Sequence, residues 1–168
     1  MAVRPILTIP NPILRKQAKR IKSADASIHK LATDMMETLE RAEGLGLAAP
    51  QIGVSLRLCV LHMPKSEPFA IINPTVVKRI GEREVVEACL SIPGYQGKIK
   101  RAAGVTVKGL DIEGKPIRLK ATDLFSQALE HEIDHLNGVL YTDYIESPEQ
   151  FYKIDDEPAQ VRETADAR

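Results

Sequence analysis

Apolar residues at Ile28, Leu31, Ala32, Met35, Met36 and Leu39 recur every three or four positions, the interval that gathers side chains on one face of a helix. Asp25 or Ser27 can cap the start of this stretch and Gly44 stands where it would stop, so the pattern predicts an amphipathic N-terminal helix. Between Leu56 and Leu119 the period changes. Short β-rich runs, Leu58–Leu61, Ile71–Ile72, Val76–Ile80, Glu84–Leu90 and Val105–Leu110, are divided by Pro and Gly and read as strands. The segment Asp111-Ile112-Glu113-Gly114-Lys115-Pro116 joins two alternating stretches as a hairpin turn does, and antiparallel or mixed sheet is expected around it. Thr122 or Asp123 can then open a second helix, on which Leu124, Phe125, Ala128, Leu129, Ile133 and Leu136 keep helical spacing up to Gly138. Strands collected between two helices, without βαβ alternation, predict an α+β domain with antiparallel or mixed sheets and the second helix packed against them instead of lying on the surface.

Past Ile145 the pattern dissolves. Residues 146–168 hold seven acids against three bases and few apolar groups. Residues 1–145 are therefore expected to form the domain, and 146–168 a polar tail, frayed or loosely helical. A chain of 168 residues suits a single core.

Composition narrows the partners. The formal net charge is zero, which argues against nucleic acid as a main or sequence-specific partner, since phosphate binding needs a Lys/Arg excess or a basic stripe. The one basic run along the chain, Arg15 to Lys22, reads as a solvated segment, with a nucleic-acid or ribosomal contact as the lesser reading. No secretory signal precedes Pro10 and no window approaches the length of an apolar membrane span, so no membrane partner and a cytoplasmic address are expected. Two cysteines do not make a disulfide framework, and both are read as reduced. Cys59, inside Leu58-Cys59-Val60-Leu61, is expected as a buried thiol, and His29 and His62 lack ligand-type neighbours.

The second helix carries the chemistry. His131-Glu132-Ile133-Asp134-His135 is an HExxH segment; residues four apart share a helix face, so both imidazoles can reach one cation. Glu132, one residue along, is placed to take a proton from a water that the cation activates. Catalytic sites of this kind use three protein ligands and keep one position open. Downstream, Asp143, Glu146 and Glu149 are available as the third, as in familiar zinc proteases. Upstream, Cys89 closes a predicted strand and would complete a sulfur and nitrogen set suited to Zn or Fe(II).

Three segments in order resemble peptide deformylases: Gly44-Leu45-Gly46-Leu47-Ala48-Ala49-Pro50-Gln51-Ile52-Gly53, Glu87-Ala88-Cys89-Leu90-Ser91 and His131-Glu132-Ile133-Asp134-His135-Leu136-Asn137-Gly138. The similarity runs from Pro5 to Ile145. It implies the α+β fold with antiparallel sheets about the HExxH helix, and removal of formyl groups from nascent formyl-methionyl peptides. It also implies one divalent metal, Fe(II) by preference with Zn or Ni as substitutes, held by Cys89, His131 and His135. By the same resemblance Glu132 is the general base, and the Gln51 amide with the Leu90 backbone N–H holds the oxyanion. Gly44, Leu45 and Gly46 contact substrate, with Leu45 and Leu90 helping to form the methionine pocket. A transient ribosome contact belongs to the family picture, although the acidic tail differs from the basic C-terminal extension some members carry.

Two positions depart from the common family pattern: Ala88 stands where Gly is usual and Glu130 where Gln is usual. Ala88 would strain the site only if the backbone there required positive φ, and altered rate or specificity is expected of it. Glu130 should point away from the metal. Two rival readings are a small zinc protease with a downstream carboxylate ligand and a non-catalytic module holding a structural metal.

Overall fold

A computed structural model of the chain describes residues 2–156. The first helix, α1, spans Ala26–Ala42; Asp25 caps it by accepting from Ile28 N, and Glu43 ends it in the left-handed region at φ 54°. The stop is therefore Glu43, not Gly44. Gly44 N instead donates back to Leu39 O over 3.3 Å, and a side chain at 44 would strike Leu39 and Leu90.

Seven strands follow before the second helix, namely β1 (Gly46–Ala48), β2 (Leu58–Leu61), β3 (Phe69–Ile80), β4 (Arg83–Cys89), β5 (Ile92–Arg101), β6 (Gly104–Leu110) and β7 (Pro116–Thr122). Then come α2 (Asp123–Leu136) and a short β8 (Phe151–Lys153). One sheet has the order β1-β2-β3-β6-β7 and the other β4-β5-β8, and every pairing between these strands is antiparallel. The β6–β7 hairpin turns where the sequence predicts it, with Asp111 Oδ1 accepting from Glu113 N and Lys115 N.

Alternation along the five-stranded sheet divides the core. Ala48, Cys59, Leu61, Ile71, Val105, Val107 and Ala121 face α2 and pack on its Ala128, Leu129, Ile133 and Leu136. Leu47, Leu58, Val60, Ala70 and Ile72 face the other way, against Ile28, Leu31, Ala32, Met35 and Leu39 of α1. Burying each such aliphatic side chain contributes about 1.5–3 kcal/mol. Sandwiched between the larger sheet and β4, α2 is fixed on two sides.

Three parts of the pattern differ from expectation. The runs at Ile71 and Val76 are one strand, which crosses Pro74 through a bulge between Ile72 and Thr75. There Asn73, at φ 51°, clamps the Ile21 backbone by accepting from its N–H and donating to its carbonyl. β5 is unheralded because Pro93, Gly94, Gly97 and four polar or charged residues leave it only two aliphatic side chains, Ile92 and Ile99. β1 lies just past the expected helix stop, where no strand is predicted. The tail also departs from the frayed or loosely helical form expected, as far as it is described: Phe151–Lys153 pairs with Tyr95–Gly97. Phe151 stacks on Tyr95 at 5.0 Å, which supplies the apolar anchor that the acidic composition conceals. Residues 157–168 lie outside the described residues. No helix among those described is long and apolar enough to cross a membrane.

Candidate active site

Cys89 is the last residue of β4 and buried, while His131 and His135 stand one turn apart on α2. Their ligand-type atoms, one from each residue, all lie within 4.8 Å of one another. His135 Nε2 is 3.3 Å from Cys89 Sγ and 3.2 Å from His131 Nε2. A sulfur and two imidazole nitrogens converging from two elements fit a divalent cation of the Zn or Fe(II) kind. The downstream carboxylates do not join them. Asp143 accepts from Arg15 and Leu140 N, Glu146 faces Lys100, and Glu149 lies on the groove wall.

Behind the donors is a buried charge network. His131 Nδ1 is hydrogen-bonded to Glu87 Oε1, which turns Nε2 toward the cluster. Glu87 in turn accepts from Arg101 Nε at 2.9 Å and Nη2 at 2.5 Å, and Arg101 Nη1 donates to Asp134 at 2.6 Å. Burial works to raise the Glu87 pKa, but the hydrogen bonds from Arg101 and His131 outweigh it and hold the carboxyl at about 2. Glu87 is thus an anion throughout the neutral range. Sequence reasoning missed both Glu87 and Arg101. The available signal was spacing: Glu87 and Cys89 are two apart on a strand and so share a face.

Glu132 is buried, and its Oε2 has no hydrogen-bond partner among the described residues. Burial pushes its pKa up to about 7, with the Glu87 and Asp134 charges adding to the rise and His131 and Arg101 opposing it. A carboxylate at that value takes and returns protons near neutral pH. A Cβ at Gly46 would lie 2.7 Å from Glu132 Oε1, so only glycine leaves this carboxyl in place.

Gln51 is also oriented by its surroundings. Its Oε1 accepts from Ala48 N at 2.9 Å, which leaves Nε2 directed at Ser91 Oγ, 3.1 Å away, and at Cys89 Sγ, 3.8 Å away. Ser91, also unforeseen, donates its backbone N–H to Cys89 Sγ at 3.4 Å. Leu90 follows Cys89 in the tight connection to β5, its side chain half-buried against Gly44. The exposed Ala88 is not among the positive-φ residues, so its methyl adds no backbone strain. Glu130 turns away from the donors, accepting from Ala102 N and Arg79 Nε.

Cys89, His131, Glu132 and Gln51 open on one groove of about 1160 Å³, lined also by Gly44, Leu45, Gly46 and residues 83–90. Strands β1 and β4 are each outermost in their sheets, so two strand edges border the groove. The tail contributes Gln150, Tyr152 and Ile154 to its far wall.

The polypeptide deformylase family model matches residues 3–151. A peptide deformylase of Dehalococcoides mccartyi is 53% identical over 167 residues, covering 97% of this chain and 100% of that protein. The crystal structure of a peptide deformylase from Legionella pneumophila superposes with a TM-score of 0.85 at 47% identity, over 89% of each chain. One from Ehrlichia chaffeensis in complex with actinonin reaches a TM-score of 0.86 at 35% identity, over 98% of each. With the family model spanning nearly the whole chain and relatives matched end to end, this protein belongs to the peptide deformylase family.

Proposed function

We propose that this chain removes formyl groups from formyl-methionyl nascent polypeptides in the cytoplasm, with Cys89, His131 and His135 holding one divalent metal. Fe(II) is the family's preference, with Zn or Ni as substitutes. A cation held by these donors supplies Lewis acidity that brings the pKa of water from 15.7 to about 7. Glu132 accepts the proton of the attacking water as its oxygen bonds to the formyl carbon. As the carbon–nitrogen bond breaks, Glu132 delivers that proton to the departing amine, and formate and a free N-terminus result. Gln51 Nε2 and the Leu90 N–H donate to the oxyanion that develops on the formyl oxygen; losing one such donor typically costs about 10²- to 10³-fold in rate.

The substrate backbone lies along the free edge of β1 at Gly44, Leu45 and Gly46 as an added strand. Leu45 and Leu90 border the methionine side chain. Ribosome contact is transient in this reading.

The observation that carries the proposal is the meeting of Cys89, His131 and His135 beside a buried carboxylate that has an unpartnered oxygen. Formate release from a formyl-Met peptide, run anaerobically with Fe(II) beside a chelator-treated control, tests it. Turnover that survives chelation, or that persists in Glu132→Gln with metal still bound, overturns the mechanism.

A further inference from the structure

The α1 helix covers only part of its side of the larger sheet. α1 packs over residues of β1, β2 and the start of β3, and the remainder, formed by β3, β6 and β7, carries exposed Lys78, Lys108, Arg118 and Lys120. Register places them together. Lys78 pairs with Thr106 and Thr106 with Lys120, while Lys108 pairs directly with Arg118. Neighbouring strands lie about 4.8 Å apart and alternate residues about 6.8 Å apart, so the four charges form a compact plate. Its own strands supply no acid to it: β3, β6 and β7 contain no Asp or Glu. Arg79, the other cation of these strands, is taken by Glu130. Among the described residues no ion pair is found for the four.

Like charges directly opposite on paired strands destabilise a sheet, so the Lys108–Arg118 pair needs an outside anion to become favourable. In sequence this plate is invisible, because the four cations are scattered over three strands and the net charge of the chain is zero.

We infer that this face binds the phosphate backbone of an RNA helix without reading its sequence. A sheet face with long cationic side chains suits the wide, shallow minor groove and flanking phosphates of A-form RNA. Ile80 is the exposed large hydrophobic on this open face, too little apolar surface to insert into lipid. The choice of RNA over DNA rests on the activity proposed above, since nascent chains emerge from an RNA-rich particle. None of the residues lining the catalytic groove belongs to β3, β6 or β7, so RNA and substrate can be bound together.

The test uses the metal-loaded full chain and a fluorescent RNA hairpin, with anisotropy read from 50 to 200 mM salt and no peptide present. Four phosphate contacts give a slope of log K against log salt of roughly −3 to −4. In the triple variant K78Q/K108Q/K120Q the slope should shrink to about −1, with binding at 50 mM salt at least ten-fold weaker. Formate release should stay at the parent rate and the melting temperature should not fall. Failure of the parent chain to bind RNA, unchanged binding by the triple variant, or tighter binding to vesicles of anionic lipid than to RNA each overturns the inference. Because the RNA measurement needs no turnover, it stands or falls separately from the deformylase activity.

Discussion

A methyl group at position 46 would lie 2.7 Å from Glu132 Oε1 and 2.8 Å from its Cγ, closer than non-bonded atoms tolerate, and the flexible partner that must yield is the Glu132 side chain, the proposed base. Gly46→Ala should therefore lower kcat by about 10²-fold, the order expected for a displacement near 1 Å, while metal content stays at the parent level. A Gly46→Ala enzyme with parental kcat would show that Glu132 does not act from this position. Glu87 works one step further back, through His131 Nδ1 and the buried Arg101. Glu87→Gln keeps the shape but withdraws the charge, and metal affinity measured by chelator competition should fall about 10- to 100-fold. Unaltered affinity would mean that the hydrogen bond does not orient the imidazole. HExxH announces itself in sequence because both imidazoles sit on one short stretch of helix. Its supporting carboxylate does not, because Glu87 and His131 are 44 residues apart and are brought together by packing alone.

At the scale of elements, the N-terminal segment is tied down by one buried acid. Asp34 of α1 accepts from Ala2 N at 2.9 Å and from Arg4 Nη2 at 2.8 Å, and Thr38 Oγ1 accepts from Arg4 N. The hydrogen bond from Arg4 holds the Asp34 carboxyl below its ordinary range, with burial opposing the shift. A depressed folded pKa means that the contribution is fully present above the unfolded value, about 4. It is lost as pH falls through the lower folded value. Asp34→Asn should melt lower at pH 7 by roughly 1 kcal/mol once screening of the half-exposed Arg4 is allowed for, or about 2–4 °C. The gap between the two melting temperatures should close as the pH is taken to 3, and a gap that holds constant across that range would contradict the assignment. The unbroken apolar run of β2 and the alternation of β4 and β6 are visible in the chain, and so is the β6–β7 turn. β5 and β8 are not, since they persist through mutual pairing and the Tyr95–Phe151 stack more than through any period of their own.

For the molecule as a whole, the proposed cation site joins the two sheets, because Cys89 belongs to the smaller one and α2 packs on the larger. Binding a cation only in the folded state adds stability that grows with its concentration, about 2.7 kcal/mol at a hundred-fold excess over Kd. The chelated chain should melt several degrees below the loaded one and recover when Fe(II) or Zn is returned, at about 2–4 °C per kcal/mol; identical melting curves would exclude a site built as described. The chain by itself determined what local order can carry: two helices, the main alternating strands, the pair of imidazoles with their acid, and the cysteine on a strand end. Periodicity and spacing express these within a few residues of each other. Only the tertiary structure decided that Glu43 ends α1, that Gly46 faces Glu132, that Gln51 turns its amide nitrogen toward Cys89, and that four scattered cations share one face. Those outcomes depend on register and on packing between distant segments, where a shift of one residue moves every side chain to the opposite face.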